Sequence, residues 1–196
     1  KKVQKKDPFI DACEEMARRL SRFPEHGDIL MDWLDPLFNG SENAEDRRIR
    51  HGVCLTSDIG WRAHPDYRAE SAMYASLYGW FVGVDARARA MMGVALFTCY
   101  GGSVSHELAA SALSVLDKSD QTRAMAIGRA LRLAQRLSGG TASPLQKCRL
   151  LMQGDRLILK VLRRDAPMLG EVVVKRLSAL AITLDVPYGI LVCDEL

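Results

Sequence analysis

The stretch LTSDIGWRAHPDYRAE, residues 55–70, decides how this chain is organised, because it sets Asp58, Trp61, Arg62, His64, Pro65, Asp66 and Arg68 in a short break between two helical patterns. Before it, Ile49, Val53 and Leu55 recur on a helical rather than a strand period across residues 46–55. Gly60 is predicted to end that helix and His64-Pro65 to open the next, since proline fits the first helical turn, where its missing N–H costs nothing. A loop with this chemistry between regular elements marks a candidate site.

Outward from the loop, helical signals continue on both sides. Asp7-Pro8 pairs an N-cap side chain with a proline at the first helical position, and Phe9, Cys13, Met16 and Leu20 form one stripe, closed by Phe23-Pro24. A second pattern holds Ile29, Leu30, Trp33, Leu34 and Leu37, with Pro36 fraying its end and Asn39-Gly40 turning the chain. After Pro65, a helix with Tyr67, Tyr74, Leu77 and Tyr78 is predicted to run to Gly83. Asp85 caps the next, which runs through Met91, Val94, Ala95 and Thr98 to Gly101-Gly102. Ser105 opens a shorter one with Leu108, Ala112, Val115 and Leu116. A long helix over residues 120–138, with Ala124, Ile127, Leu131 and Ala134 on its apolar side, stops at Gly139-Gly140. Beyond Pro144 the texture changes: CRLLMQGDRLILKVL reads as a hairpin turning at Gln153-Gly154-Asp155, residues 170–184 return to helical spacing, and YGILVC at residues 188–193 adds a strand. The expected fold is mainly α, a helical domain over residues 1–140 followed by a small C-terminal α+β subdomain over residues 141–196.

With 196 residues and 48% hydrophobic content, the chain can bury a core of its own. No apolar run approaches the roughly 18 residues of a membrane span, and the basic start KKVQKKDP lacks the apolar core of a signal peptide, so a cytoplasmic address is expected. Cys13, Cys54, Cys99, Cys148 and Cys193 are odd in number, scattered and without a CxxC, which predicts reduced, mostly buried thiols rather than a disulfide framework or zinc knuckle. A net charge of +3 does not by itself announce a nucleic-acid binder. Lys1, Lys2, Lys5 and Lys6 read as a mobile tail, and a start on lysine rather than methionine is expected of a fragment.

The order of helix, acidic residue, glycine, His-Pro and helix around residues 55–70 resembles the second metal-binding step of an HD-type helical domain, with Ser57-Asp58 in place of the His-Asp doublet. Such a site converges two imidazoles and two carboxylates on one divalent ion. Here Ser57 replaces one imidazole, no histidine precedes residue 26, and residues 99–102 read CYGG, so Asp58, His51 and His64 remain only as a weak metal site. The words SDIGWRAHPDYRAE, DPFIDACEEMARRLSRF and RALRLAQRLSGG together resemble the C-terminal half of bacterial exopolyphosphatases and guanosine pentaphosphate phosphatases, and this similarity covers almost the whole chain in order. The resemblance implies a parent hydrolase that removes terminal phosphate from inorganic polyphosphate or pppGpp. It places catalysis, with a divalent metal such as Mg, in N-terminal actin-like domains that this chain does not contain. No catalytic residue and no resident cofactor or metal are then expected here. The implied partners are polyphosphate, the actin-like domains and a second copy in a homodimer, with no membrane and no specific nucleic acid. Asp58-Ile59-Gly60 echoes the Asp-x-Gly of a phosphate loop, but a helix precedes it and Trp61 follows where a small hydroxyl residue belongs.

Two cation groups are candidate anion-binding residues. Arg62, His64 and Arg68 can present donors to phosphate oxygens from the loop, because guanidinium forks match phosphate geometry and stay charged at any working pH. The plainer account makes Asp58 a cap, His64 a histidine bonded to a carbonyl, and Trp61 and Tyr67 packing anchors. Arg129, Arg132 and Arg136 fall at i, i+3 and i+7, so they share one face of the long helix, either as a strip for a linear polyanion or as a solvated polar face. Three function classes stand: a polyphosphate-holding portion of an exopolyphosphatase-like enzyme, an HD-like metal-dependent nucleotide phosphohydrolase, and a structural dimerisation module.

Overall fold

The computed structural model describes residues 7–139 and 143–196; the lysine tail and Gly140 lie outside the described residues. Helix α1 (Pro8–Leu20) starts where Asp7 accepts a hydrogen bond from the Phe9 N–H at 3.0 Å, and it buries Phe9, Cys13 and Ala17. Helix α2 (His26–Phe38) carries Pro36 inside its last turn, and α3 (Ala44–Leu55) is capped by Asn43, which accepts from the Asp46 N–H at 2.8 Å. Two 3-10 turns, Ile59–Arg62 and Pro65–Tyr67, form the loop and lead into α4 (Arg68–Tyr78).

Helix α5 (Ala86–Cys99) is the axis of the molecule: eleven of its fourteen residues are buried, so it shows no single apolar stripe but is covered on all sides. Helix α4 and helix α7 (Lys118–Ser138) pack along it, and the short α6 (Glu107–Leu113) closes one end. The close crossing of α5 and α7 falls at Gly128, where a Cβ would meet the Ala95 carbonyl and lie 2.9 Å from the Thr98 Cβ.

Strand β1 (Cys148–Gln153) and strand β2 (Arg156–Leu162) form the expected antiparallel hairpin, turned by Gly154 at φ +63°. Helix α8 (Glu171–Leu184) then crosses over to strand β3 (Tyr188–Cys193), which lies parallel to β2, giving a three-stranded sheet in the order β1-β2-β3. The class is as expected, mainly α with a small C-terminal α/β part. One apolar core runs through both, from Phe9 and Leu34 through Met91 and Leu131 to Leu159 and Leu177. Trp33 of α2 donates its indole N–H to the Cys148 carbonyl at 3.1 Å, fastening the helices to the hairpin.

Several predicted boundaries move, among them the start of α4, which follows the Pro65–Tyr67 turn at Arg68. Helix α3 ends at Leu55 rather than Gly60; Gly60 sits in a 3-10 turn, its N–H donating to the Tyr100 hydroxyl at 2.9 Å, where a Cβ would press on that ring. Helix α4 ends at Tyr78 rather than Gly83, because Arg89 of α5 reaches back to the carbonyls of Leu77, Gly79 and Phe81 at 2.8–3.2 Å and satisfies that terminus from outside. The short helix opens at Glu107, with His106 rather than Ser105 as its cap. All five cysteines are free thiols; Cys13, Cys54, Cys99 and Cys148 are buried, and burial pushes Cys54 and Cys99 up to about 12.

Candidate anion-binding cleft

The loop of residues 55–70 is fastened by its charges rather than left open. Asp58 accepts from the Arg22 backbone N–H at 2.8 Å and pairs with the Arg22 guanidinium at 2.5 Å, so its carboxylate ties the loop to the end of α1. Trp61 donates to the Leu20 carbonyl at 2.7 Å, with the guanidinium groups of Arg22 and Arg62 over its ring, which makes it the packing anchor expected. His64 accepts from the Asp66 N–H at 3.4 Å as a cap, and Arg68 donates to the Ala63 carbonyl at 3.1 Å. Beneath the loop, a cavity of about 200 Å³ is lined by Arg22, His26, Ser57, Asp58 and Gln135. The donors there do not suit a divalent ion, since the carboxylate already faces a guanidinium, and among the described residues no three His, Cys, Asp or Glu side chains group as metal ligands. His51 is elsewhere, bonded to Asp28 at 2.8 Å.

A second concavity gathers cations. A cleft of about 440 Å³ opens between α7, α8 and the turn that follows α5, and Arg129, Arg132, Lys175 and Arg176 line it without an aspartate or glutamate among its walls. Helical spacing builds it from two sides: Arg129 and Arg132 are i, i+3 on α7, while Val172, Lys175, Arg176 and Ala179 are i, i+3, i+4 and i+7 on α8, opposite the buried Val173, Leu177 and Leu180. The turn supplies Gly101 at φ +89°, where a Cβ would collide with the Arg132 guanidinium, so only glycine lets that side chain lie across it.

Each guanidinium is held by backbone. Arg129 donates to the Ala179 carbonyl at 3.0 Å and to the Thr183 hydroxyl, Arg132 to the Cys99 carbonyl at 3.1 Å, and Arg176 to the Arg132 carbonyl at 2.7 Å. A guanidinium has five N–H donors, so each keeps donors to spare after these anchors. Burial holds Arg129 below its ordinary value; burial, then the charges of Arg132 and Arg136, do the same to Arg176, though both stay cationic at any working pH. Fixed, partly desolvated like charges with no carboxylate among the described residues lining the cleft form a preorganised acceptor for a polyanion.

Of the six candidate residues, the structure brings Arg129 and Arg132 into this cleft and leaves Arg136 exposed beside it, near enough to act on Arg176. Arg62, His64 and Arg68 do not line it. Sequence reading missed Lys175, Arg176 and Thr98; the helical period of α8 carried a signal for the first two, whereas Thr98 is recognisable only once α5 is packed against α7. The family model for the exopolyphosphatase C-terminal region matches residues 9–185, a span that contains every residue lining the cleft. No curated protein matches the chain.

Proposed function

We propose that this chain, which belongs to the exopolyphosphatase C-terminal family, holds the phosphate polymer for a hydrolase whose bond-breaking residues lie in other domains. The observation that carries the reading is the cleft in which Arg129, Arg132, Lys175 and Arg176 converge with no carboxylate beside them. Inorganic polyphosphate is a flexible linear polyanion whose oxygens accept from guanidinium and ammonium donors all along its length. Arg136 extends the positive face along α7 beyond the cleft. Guanosine pentaphosphate presents the same terminal phosphoanhydride and is the parent's second candidate substrate. Magnesium, as the parent's catalytic ion, would sit in actin-like domains outside this chain. A cytoplasmic location belongs to the same proposal; no helix among the described residues is long and apolar enough to cross a membrane. So does a homodimer, for which the exposed Tyr78 at the end of α4 and Trp80 and Val82 in the link to α5 offer an apolar face.

Polyphosphate affinity measured against salt tests the reading. Counterion release by four cations predicts a log–log slope of about −3 between roughly 50 and 200 mM salt. Arg132→Ala is expected to weaken binding about tenfold or more, and Lys175→Ala less, while Arg62→Ala leaves it unchanged. A flat salt response overturns polymer holding, and an equal loss in Arg62→Ala overturns its assignment to this cleft. Sedimentation of the same preparation at dimer mass supports the pairing of subunits, and a monomer at micromolar concentration overturns it.

A further inference from the structure

Thr98 stands on the last turn of α5 in the lining of the cleft, only 4% exposed, and its hydroxyl oxygen has no hydrogen-bond partner among the described residues. A threonine at the end of a helix can donate to the carbonyl four residues back, as Thr56, the C-cap of α3, does to Gly52 at 2.8 Å. The α5–α7 crossing is close here, since a Cβ at Gly128 would lie 2.9 Å from the Thr98 Cβ, and Arg129 and Arg132 stand one residue and four residues beyond that glycine on α7. The result is one buried, unmatched hydroxyl on a residue that lines the same cleft as Arg129, Arg132 and Arg176, each of which is anchored on a carbonyl from a different stretch of chain.

A polymer lying sideways in the cleft would not need that hydroxyl. An internal unit of polyphosphate carries one negative charge and two free oxygens, whereas a terminal or free phosphate carries a charge near −2 with at least three acceptor oxygens. Donor residues from three helices lining one pocket match the second pattern. Accepting the polymer-holding reading above, on which this rests, we propose that the cleft grips a single terminal phosphate group end-on, with Thr98 donating to one oxygen and the three arginines to the others, so that free orthophosphate competes with the polymer for the same place. The hydrolytic product of the parent would then loosen the hold on its own substrate.

Isothermal titration of the whole chain with orthophosphate, long polyphosphate, and long polyphosphate whose two ends are blocked as phosphoramidates tests this, alongside Thr98→Val, which keeps the volume and removes the hydroxyl. The expected result is one saturable orthophosphate site per chain that displaces long polyphosphate, about tenfold weaker in Thr98→Val, with end-blocking costing the polymer a comparable factor. End-blocked polymer binding as tightly as the native one, or orthophosphate that fails to displace it, overturns the end-on grip while leaving polymer holding intact. Orthophosphate bound equally by Thr98→Val removes the hydroxyl from the site. Absence of binding by any of the three ligands at low salt overturns the underlying reading itself.

Discussion

His26 occupies the first turn of α2 beside the loop cavity, only 6% exposed, and neither ring nitrogen finds a hydrogen-bond partner among the described residues. Leaving a buried polar group unmatched costs about 1–3 kcal/mol. Burial also holds its pKa below the ordinary 6.5, against the opposing pull of Asp58 and Glu25. Because the folded value is depressed, the unfolded chain takes up the proton first as pH falls. Stability from this residue is therefore fully present above 6.5 and is lost as pH drops through the lower folded value. His26→Leu is expected to gain about 1 kcal/mol at neutral pH and to flatten the decline toward pH 5, read by urea unfolding across that range. A variant whose stability falls as steeply as the parent's removes His26 as the cause. The residue was legible only as the first histidine in the chain; its isolation comes from Ser57 and an Asp58 already engaged by Arg22, a pairing across 36 positions that no local pattern announces.

At the scale of elements, helices were legible wherever their ends are set locally. Asp7 and Asp85 cap α1 and α5 as read, and Gly139 closes α7 in the left-handed region. Boundaries were misread where a distant side chain sets them, as Arg89 does for α4 and Tyr100 for the turn at Gly60. The site divides in the same way. Arg129 and Arg132 are legible from the spacing on one helix, whereas the cleft needs α8 docked on α7 to bring Lys175 and Arg176 opposite them. Gly128 is where elements and site meet, since the α5–α7 approach leaves no room for a methyl group beside Ala95 and Thr98. Gly128→Ala forces the helices apart despite the better helix propensity of alanine. The expected cost is about 1–3 kcal/mol by thermal or urea unfolding, with a loss of orthophosphate affinity because Thr98 and Arg132 shift relative to each other. Unchanged stability would mean that the crossing yields without strain.

Across the whole molecule, the change from helices to strands near residue 140 is not matched by a break in the core. Leu157, Leu159 and Val161 of β2 and Leu177 and Leu180 of α8 are buried in the same apolar cluster as Leu34 of α2 and Leu131 of α7. The cleft straddles the same seam, with two cations on each side of it. Hydrophobic contacts that run through both parts make each part's exposure a cost to the other, so the chain is expected to unfold in one transition. Leu159→Ala puts a cavity on the strand side of that cluster, at a cost of about 2–5 kcal/mol. Far-ultraviolet circular dichroism follows the helices in this chain, and tryptophan fluorescence includes Trp33, whose indole spans the seam to Cys148. Both signals should shift their midpoint by the same amount in Leu159→Ala, although the substituted residue lies in the sheet rather than in a helix preceding residue 140. If the helical signal kept the parental midpoint while the sheet unfolded beneath it, the two parts would be separate cooperative units. The cleft would then have to be assembled by docking, and polyphosphate would stabilise the C-terminal part selectively rather than the chain as a whole.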